Sequence, residues 1–165
     1  MSGQMRPKPK MGPSVGSVQS LRKARRGSGA RVLSRVRLFA GLSQRDLRRI
    51  AALAEEVWYA PGHVVVEEGT QGTAFFAILD GSARVTRGGS DRTLRTLGPG
   101  DSFGELALLD GGPRSATVTA ETSLDAVRIR RTEFHRLLRR EPEVGIRIMA
   151  SLAGWIRECE GRTLG

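Results

Sequence analysis

The chain has 165 residues, of which 39% are apolar and 27% charged, proportions typical of one globular domain with its own core. Its net charge is +10, but eleven of the 27 basic residues precede the first acid, Asp46, and the other 120 residues carry 16 basic and 17 acidic side chains. The basicity therefore belongs to an N-terminal arm, and the neutral body lacks the charge of a nucleic-acid-binding domain. A single cysteine excludes an intramolecular disulfide framework and favours a cytoplasmic protein. The sequence also has neither an apolar run of membrane-spanning length nor a secretory signal.

Residues 1–29 combine Pro, Gly, Ser and basic residues with few apolar ones. Such a segment buries too little surface to offset the entropy of ordering it, so we predict a disordered basic arm. The simpler interpretation is a solvated tail or a misassigned start codon. The alternative is an arm that contacts acidic lipid or nucleic acid through LRKARR. The folded domain is predicted to span residues 30–165.

Two helices are predicted at the start of this domain. The segment ARVLSRVRLFAGL places four apolar residues at helical spacing: Val32, Leu33, Val36 and Phe39. Ser43 then begins a second helix, with Asp46 three residues later as a variant of the capping box.

Short strands follow. VWYAPGHVVVEEG predicts two strands around a turn at Pro61 and Gly62, and FFAIL and SARVT are separated by Asp80-Gly81, a strong hairpin signal. RTLRTL, ATVTA and LDAVRIR supply further strands. Closely spaced short strands indicate an α+β fold, an antiparallel, jelly-roll-like β-roll flanked by N-terminal and C-terminal helices.

Two helices end the chain. Thr132 is predicted to cap TEFHRLLRR, and Pro142 suits the first turn of a last helix. A seam on that last helix has heptad spacing: Met149, Leu152, Ile156 and Cys159. Packing against the roll and pairing in a homodimer explain this seam equally well. We expect His135 on the exposed face of its helix, and the only two histidines are too few for a cupin-type metal site.

The segment FGELALLDGGPRSATVTA, residues 103–120, places Glu105 and Arg114 among residues suited to a core. Glu105 starts a short helix, and a helix start attracts an anion. A nearby guanidinium holds a phosphate by charge-assisted hydrogen bonds, whereas a carboxylate there needs neighbouring hydroxyl donors. A phosphate beside hydroxyl groups describes a nucleotide.

These residues resemble the phosphate-binding cassette of the cyclic-nucleotide-binding domain family of the catabolite activator protein type, whose pattern is close to F-G-E-x-A-L-L followed by P-R-[S/T/A]-A-T-V. The resemblance extends over roughly residues 37–160. It implies that Glu105 binds the ribose 2′-hydroxyl, that Arg114 binds the cyclic phosphate and that the last helix closes over the base. The full implied ligand-binding set is Gly104, Glu105, Leu106, Ala107, Arg114, Ser115 and Ala116.

The resemblance also implies the ligand and the role. Ser115 after the arginine goes with cAMP in bacterial members, without excluding cGMP. We therefore expect a stand-alone cyclic nucleotide sensor, with no cofactor or metal, that signals through its C-terminal helices to an unknown protein effector. No nucleophile-elbow pattern is present, so the chain is predicted not to be an enzyme. Because the chain stops at Gly165 without a helix-turn-helix, sequence-specific DNA binding is doubtful.

Two alternatives stay open. One is a nucleotide-free interaction module of the same fold, in which Glu105 and Arg114 neutralise each other. The other is a regulator that associates with nucleic acid through the basic arm.

Overall fold

The computed structural model describes residues 22–23 and 28–163. The helices are α1 (Ser28–Leu33), a 3-10 turn (Arg37–Phe39), α2 (Gln44–Ala51), α3 (Glu105–Asp110), α4 (Arg131–Arg140) and α5 (Pro142–Thr163). The strands are β1 (Arg22–Lys23), β2 (Glu55–Tyr59), β3 (Val64–Val66), β4 (Ala74–Asp80), β5 (Ala83–Thr86), β6 (Arg95–Leu97), β7 (Ser102–Phe103), β8 (Thr117–Ala120) and β9 (Leu124–Arg130).

The strands form two antiparallel sheets, one in the order β1-β2-β9-β4-β7 and the other in the order β3-β8-β5-β6. Strand β4 lies inside the molecule and is buried on both faces. Phe75 and Ala77 point to the helices, whereas Phe76 and Ile78 point into the space between the sheets. This explains the continuous apolar run of FFAIL and confirms the predicted β-roll flanked by helices.

The helices cover the outer face of the five-stranded sheet. Phe39 packs edge-on against Phe75 of β4, with 5.8 Å between ring centroids, and lies 6.1 Å from the Phe134 ring of α4. All three rings are buried, and burying a Phe side chain contributes about 1.5–3 kcal/mol. The N-terminal and C-terminal helices therefore share one core with the sheet.

Local signals were correct in most places. The backbone N–H of Asp46 donates to Ser43 Oγ at 3.2 Å, so Ser43 caps α2 as predicted. The apolar face predicted from Val32 to Phe39 is buried, although the helix is interrupted between Leu33 and Arg37. Pro142 begins α5, but the prediction for Thr132 is wrong by two residues, since Arg130 is the N-cap of α4.

The predicted hairpin at Asp80-Gly81 is wrong. Strand β4 pairs with β7 and β9, while β5 belongs to the other sheet and pairs with β6 and β8. Gly81 has φ +87, and a Cβ there would overlap the Ser123 carbonyl oxygen, so the glycine is needed for a tight crossing between sheets.

The predicted disordered arm, residues 1–29, lies mostly outside the described residues. Two of its residues, Arg22–Lys23, form β1 alongside β2, and α1 begins at Ser28, two residues before the predicted domain boundary. The disorder of the rest stays a prediction. Among the described residues, no helix combines the length and the apolar character needed to cross a membrane.

Candidate functional site

The sequence-predicted site lies where β7, α3 and β8 meet. Gly104, with φ +86, turns the chain from β7 into α3, and Gly111, with φ +66, ends that helix. The loop that follows runs beside residues 69–72, where Gly72 N donates to Gly112 O at 3.0 Å. The cassette is thus held at both ends by glycines in a left-handed conformation and by backbone hydrogen bonds.

Arg114 is the buried cation of this site. Only 9% of it is exposed, and its backbone is fixed by hydrogen bonds to Thr70 and Gly69, both of 2.8 Å. Nη2 donates to the Ala74 carbonyl oxygen at 2.7 Å, but Nη1 is buried without a hydrogen-bond partner in the described chain. Burial lowers the pKa of the Arg114 guanidinium, because desolvation disfavours the charged form.

Glu105 is the acid of the site. Ser102 Oγ donates to Glu105 Oε1 at 2.5 Å, so the carboxylate already accepts a hydroxyl hydrogen bond. Within the described residues, Glu105 and Arg114 form no ion pair with each other. The two charges face one cavity and remain separately available to a ligand.

The cavity has a volume of about 240 Å³. Twelve residues line it: Val66, Val85, Arg95, Leu97, Ser102, Phe103, Gly104, Glu105, Arg114, Ser115, Ala116 and Val118. One end is polar and formed by the cassette, while the apolar wall comes from the four-stranded sheet. Such a combination suits a ligand with a charged end and a flat, weakly polar end.

Five of the seven predicted residues line the cavity together: Gly104, Glu105, Arg114, Ser115 and Ala116. Leu106 and Ala107 do not line it. The Leu106 side chain is 61% exposed and the Ala107 side chain is buried, so these two residues can contribute only their backbone N–H groups in the first turn of α3.

Sequence reasoning missed two polar residues of the cavity. Arg95 lies on β6 with Leu97 on the same face, and its guanidinium is 3.7 Å from Asp101. Because side chains alternate between the two faces of a strand, the two-residue spacing of Arg95 and Leu97 was the signal that could have identified Arg95. Ser102 was also missed, although its position three residues before Glu105 places a hydroxyl donor within reach of that carboxylate.

The C-terminal helices lie away from the cavity. None of the residues that line it belongs to α5, so the expected closure of that helix over a base is not seen in this structure. Trp155 instead packs on Arg37, whose guanidinium is 5.0 Å from the ring centroid. The prediction that His135 is exposed is wrong, because it is half-buried and its Nε2 lies 2.9 Å from the Leu108 carbonyl oxygen of α3.

A β-roll whose small cavity is faced by a carboxylate and by a buried arginine with no ion pair among the described residues is an arrangement suited to a small anionic ligand that also carries hydroxyl groups. The sequence model of the cyclic nucleotide-binding domain matches residues 56–141, which is more than half of the chain. The chain therefore belongs to the cyclic nucleotide-binding domain family, as the cassette predicted.

Individual relatives agree with this assignment. A cyclic AMP receptor protein of Thermus thermophilus is 34% identical over 126 residues, which are 74% of this chain and 58% of the relative. A cAMP-dependent protein kinase regulatory subunit of Yarrowia lipolytica is 40% identical over 107 residues, 64% of this chain and 28% of the relative. The chain thus spans 58% and 28% of the lengths of these two relatives.

A solved structure confirms the fold. The N-terminal domain of a transcriptional regulator from Streptomyces coelicolor A3(2) superposes with a TM-score of 0.72 at 30% identity. The superposition covers 78% of this chain and 94% of that domain. The similarity therefore extends over almost all of a separate N-terminal domain.

Proposed function

We propose that the chain is a cytoplasmic sensor that binds a cyclic nucleotide, cAMP, in this cavity and acts by binding rather than by catalysis. The observation that carries the proposal is Arg114, a buried guanidinium at the wall of the cavity whose Nη1 has no hydrogen-bond partner among the described residues. Glu105 on the same wall supplies the second recognition element.

The unpaired guanidinium favours an anionic ligand. A buried charge is costly unless an opposite charge or several hydrogen bonds compensate it, and Arg114 has only the neutral carbonyl of Ala74 as a side-chain partner in the described chain. A cyclic phosphate carries one negative charge and accepts hydrogen bonds from a guanidinium. Ser115 and the backbone N–H groups of Gly104, Leu106, Ala107 and Ala116 would add further donors to that phosphate.

The free oxygen of Glu105 favours a hydroxyl donor beside the phosphate. Ser102 occupies Oε1, while Oε2 accepts no hydrogen bond in the part of the chain that the structure describes. A ribose 2′-hydroxyl could donate to Oε2 without displacing Ser102. The absence of an ion pair to Arg114 in the same residues weighs against the nucleotide-free alternative, in which the two charges neutralise each other.

The choice of cAMP rests on two supports. The Thermus relative is a cyclic AMP receptor protein, and the Yarrowia relative is a regulatory subunit of a cAMP-dependent protein kinase. Ser115, the residue after the arginine, agrees with the serine of cAMP-binding bacterial members. Recognition of cGMP is the competing outcome and is measured in the same titration.

Titration with cAMP and cGMP tests the proposal. The wild-type protein should bind cAMP, and Arg114→Gln should remove binding, because the phosphate would then face a neutral side chain in a buried site. Arg84→Gln is the matched control, since Arg84 is an exposed arginine on β5 outside the cavity. A wild-type protein that binds neither nucleotide contradicts the proposal and favours an interaction module of the same fold.

Binding would reach the C-terminal helices through α3. The contact between His135 of α4 and the Leu108 carbonyl joins the far end of α3 to α4, and α5 follows directly at Pro142. A ligand that shifts Glu105, at the first position of α3, would therefore bias the position of α4 and α5 by its differential affinity for the two arrangements.

The surface of α5 indicates where this output would be used. Ile146, Met149 and Ile156 are more than half exposed and, with Ala153, follow heptad spacing along one side of the helix. This stripe (Ile146, Met149, Ala153 and Ile156) differs from the predicted seam, whose Leu152 packs on the core. The stripe supports a homodimer formed by α5 helices of two copies, with an effector protein as the alternative partner.

A further inference from the structure

We infer that Arg87, which lies outside the predicted cassette, positions the phosphate end of the cavity. The inference rests on the proposed function, because it concerns the same site. Arg87 directly follows the last residue of β5, and its Nε donates to the Ser115 carbonyl oxygen at 2.9 Å. Val85, two residues earlier, lines the cavity, so strand alternation places Arg87 on the same face at the rim.

The hydrogen bond to Ser115 O fixes the direction of a backbone donor. The Ser115 carbonyl and the Ala116 N–H belong to one planar trans peptide, in which the two groups point in opposite directions. Because the carbonyl is directed at Nε of Arg87, the N–H of Ala116 points the opposite way, away from the Arg87 guanidinium. Ala116 lines the cavity, and its N–H donates to no acceptor in the described part of the chain. Arg87 thus fixes the orientation of this N–H, which belongs to a residue that lines the cavity beside the position proposed for the phosphate.

Neighbouring contacts keep Arg87 in place. Glu68 Oε2 accepts a hydrogen bond from the N–H of Gly88 at 2.7 Å, and the N–H of Glu68 donates to Thr117 Oγ1 at 3.0 Å. These two bonds tie the residue after Arg87 to the start of β8. No carboxylate pairs with the Arg87 guanidinium among the described residues, so its charge is not neutralised locally.

Three substitutions separate positioning from charge. Arg87→Gln removes the charge but keeps an N–H donor, because Nε2 of glutamine follows Cδ as Nε of arginine does. Arg87→Lys keeps the charge but has a methylene at that position, and Arg87→Ala removes both. Arg84→Ala is the control, since Arg84 is an exposed arginine on the same strand, and the alternation places it on the opposite face.

The experiment measures cAMP affinity by calorimetry at two salt concentrations. We expect Arg87→Ala and Arg87→Lys to weaken binding roughly three- to tenfold, the effect of losing one hydrogen bond, while Arg87→Gln and Arg84→Ala stay within about twofold of wild type. The loss of cAMP affinity should be the same at both salt concentrations. The inference would be overturned if Arg87→Lys kept the wild-type cAMP affinity while Arg87→Gln lost it. It would also be overturned if Arg87→Ala bound cAMP as tightly as Arg84→Ala does.

A nucleotide-independent readout separates this inference from the proposed function. In NMR spectra recorded without nucleotide, the Ala116 amide resonance should shift in Arg87→Ala and Arg87→Lys relative to the wild type. In Arg87→Gln it should keep its wild-type position. If the wild-type protein binds no cyclic nucleotide, the proposed function fails, and the Ala116 resonance still decides the positioning role. An Ala116 resonance that is unchanged in all three variants contradicts that role.

Discussion

Gly104 lies against the guanidinium of Arg114, and a side chain at Gly104 cannot coexist with that guanidinium. A Cβ at this position would overlap Nη1 of Arg114 and would lie 2.8 Å from the Ala74 carbonyl oxygen. The backbone of Gly104 has φ +86, which other residues rarely adopt. The glycine before Glu105 is therefore required for the position of the arginine ten residues later as well as for the turn into α3.

This relationship predicts the effect of Gly104→Ala. The alanine should displace the Arg114 guanidinium and remove cyclic nucleotide binding, in addition to a backbone strain of roughly 1–2 kcal/mol. Calorimetric titration with cAMP and thermal unfolding measure the two effects separately.

Gly62→Ala is the matched control for this prediction. Gly62 has φ +84 and lies outside the cavity, and nothing lies within 4 Å of a Cβ built there. It should show a similar loss of stability with unchanged cAMP affinity. Equal losses of affinity in the two variants would show that the contact with Arg114 is not responsible.

Glu105→Gln should weaken binding only for ligands that have a 2′-hydroxyl. Removing the charge from this acceptor should reduce cAMP affinity roughly 10- to 100-fold, as expected for a hydrogen bond to a charged group. The affinity for 2′-deoxy-cAMP should change little, and fluorescence competition measures both. Glu121→Gln is the control, because Glu121 is exposed and outside the cavity. An equal loss for both nucleotides would show that Glu105 does not recognise the ribose.

Short-range features of the site could be predicted from the sequence. The cassette is one continuous segment in which glycines, the short helix and the Pro-Arg step are all local, and Glu105 and Arg114 line one cavity in the structure. The N-cap at Ser43 and the helix start at Pro142 depend equally on neighbouring residues. Such features are fixed by backbone conformation within a few residues.

Long-range partners could not be predicted in the same way. A two-residue Asp-Gly connection looks the same whether the next strand pairs with the previous one or crosses to another sheet. Here both hydrogen-bonding edges of β4 are already occupied, by β9 and β7. His135 was expected to face solvent, but the free carbonyl at the end of α3 gives it a partner. Arg87 was missed because its partner, Ser115, is 28 residues away in the sequence.

The buried Asp46 predicts how stability depends on pH. Burial alone would raise its pKa, but hydrogen bonds from Ser43 and Arg147 and the charge of Arg147 outweigh burial and hold the pKa below its usual value of 3.8. A lowered folded-state pKa stabilises the fold fully above the unfolded-state pKa, and this contribution disappears as the pH falls through the folded-state pKa. Stability should therefore fall with pH below about 4.

Asp46→Asn tests that contribution. The free energy of unfolding of the variant should be lower by about 1–3 kcal/mol at pH 7. The loss is limited to this range because the Arg147 side chain is 45% exposed, which weakens its ion pair with Asp46. The stability of the variant should also depend less on pH between about 5 and 3. Denaturant unfolding at several pH values measures both effects. Asp91→Asn, in an exposed loop, should leave the stability and its pH dependence unchanged. If the stability of Asp46→Asn depends on pH as steeply as that of the wild type, other groups cause the loss of stability in acid.

The stripe on α5 predicts the oligomeric state. Met149 and Ile156 are 61% and 59% exposed, whereas Val144 and Ile148 on the opposite side of the helix are buried in the core. Pairing two such stripes removes apolar surface from water, which stabilises the dimer by about 25 cal/mol for each Å² buried. We therefore expect a dimer at micromolar concentration, and Met149→Asp with Ile156→Asp should give a folded monomer whose thermal stability no longer depends on protein concentration. Light scattering after gel filtration measures the mass.

Leu94→Asp provides the control for the α5 variants, because Leu94 is 55% exposed and lies by β6, away from the stripe. It should leave the dimer intact, since it removes a comparable apolar group from another surface. A wild-type monomer at all concentrations would contradict the homodimer and would leave the stripe as the surface for an effector protein. A dimer that persists in the double variant would place the interface elsewhere on the molecule.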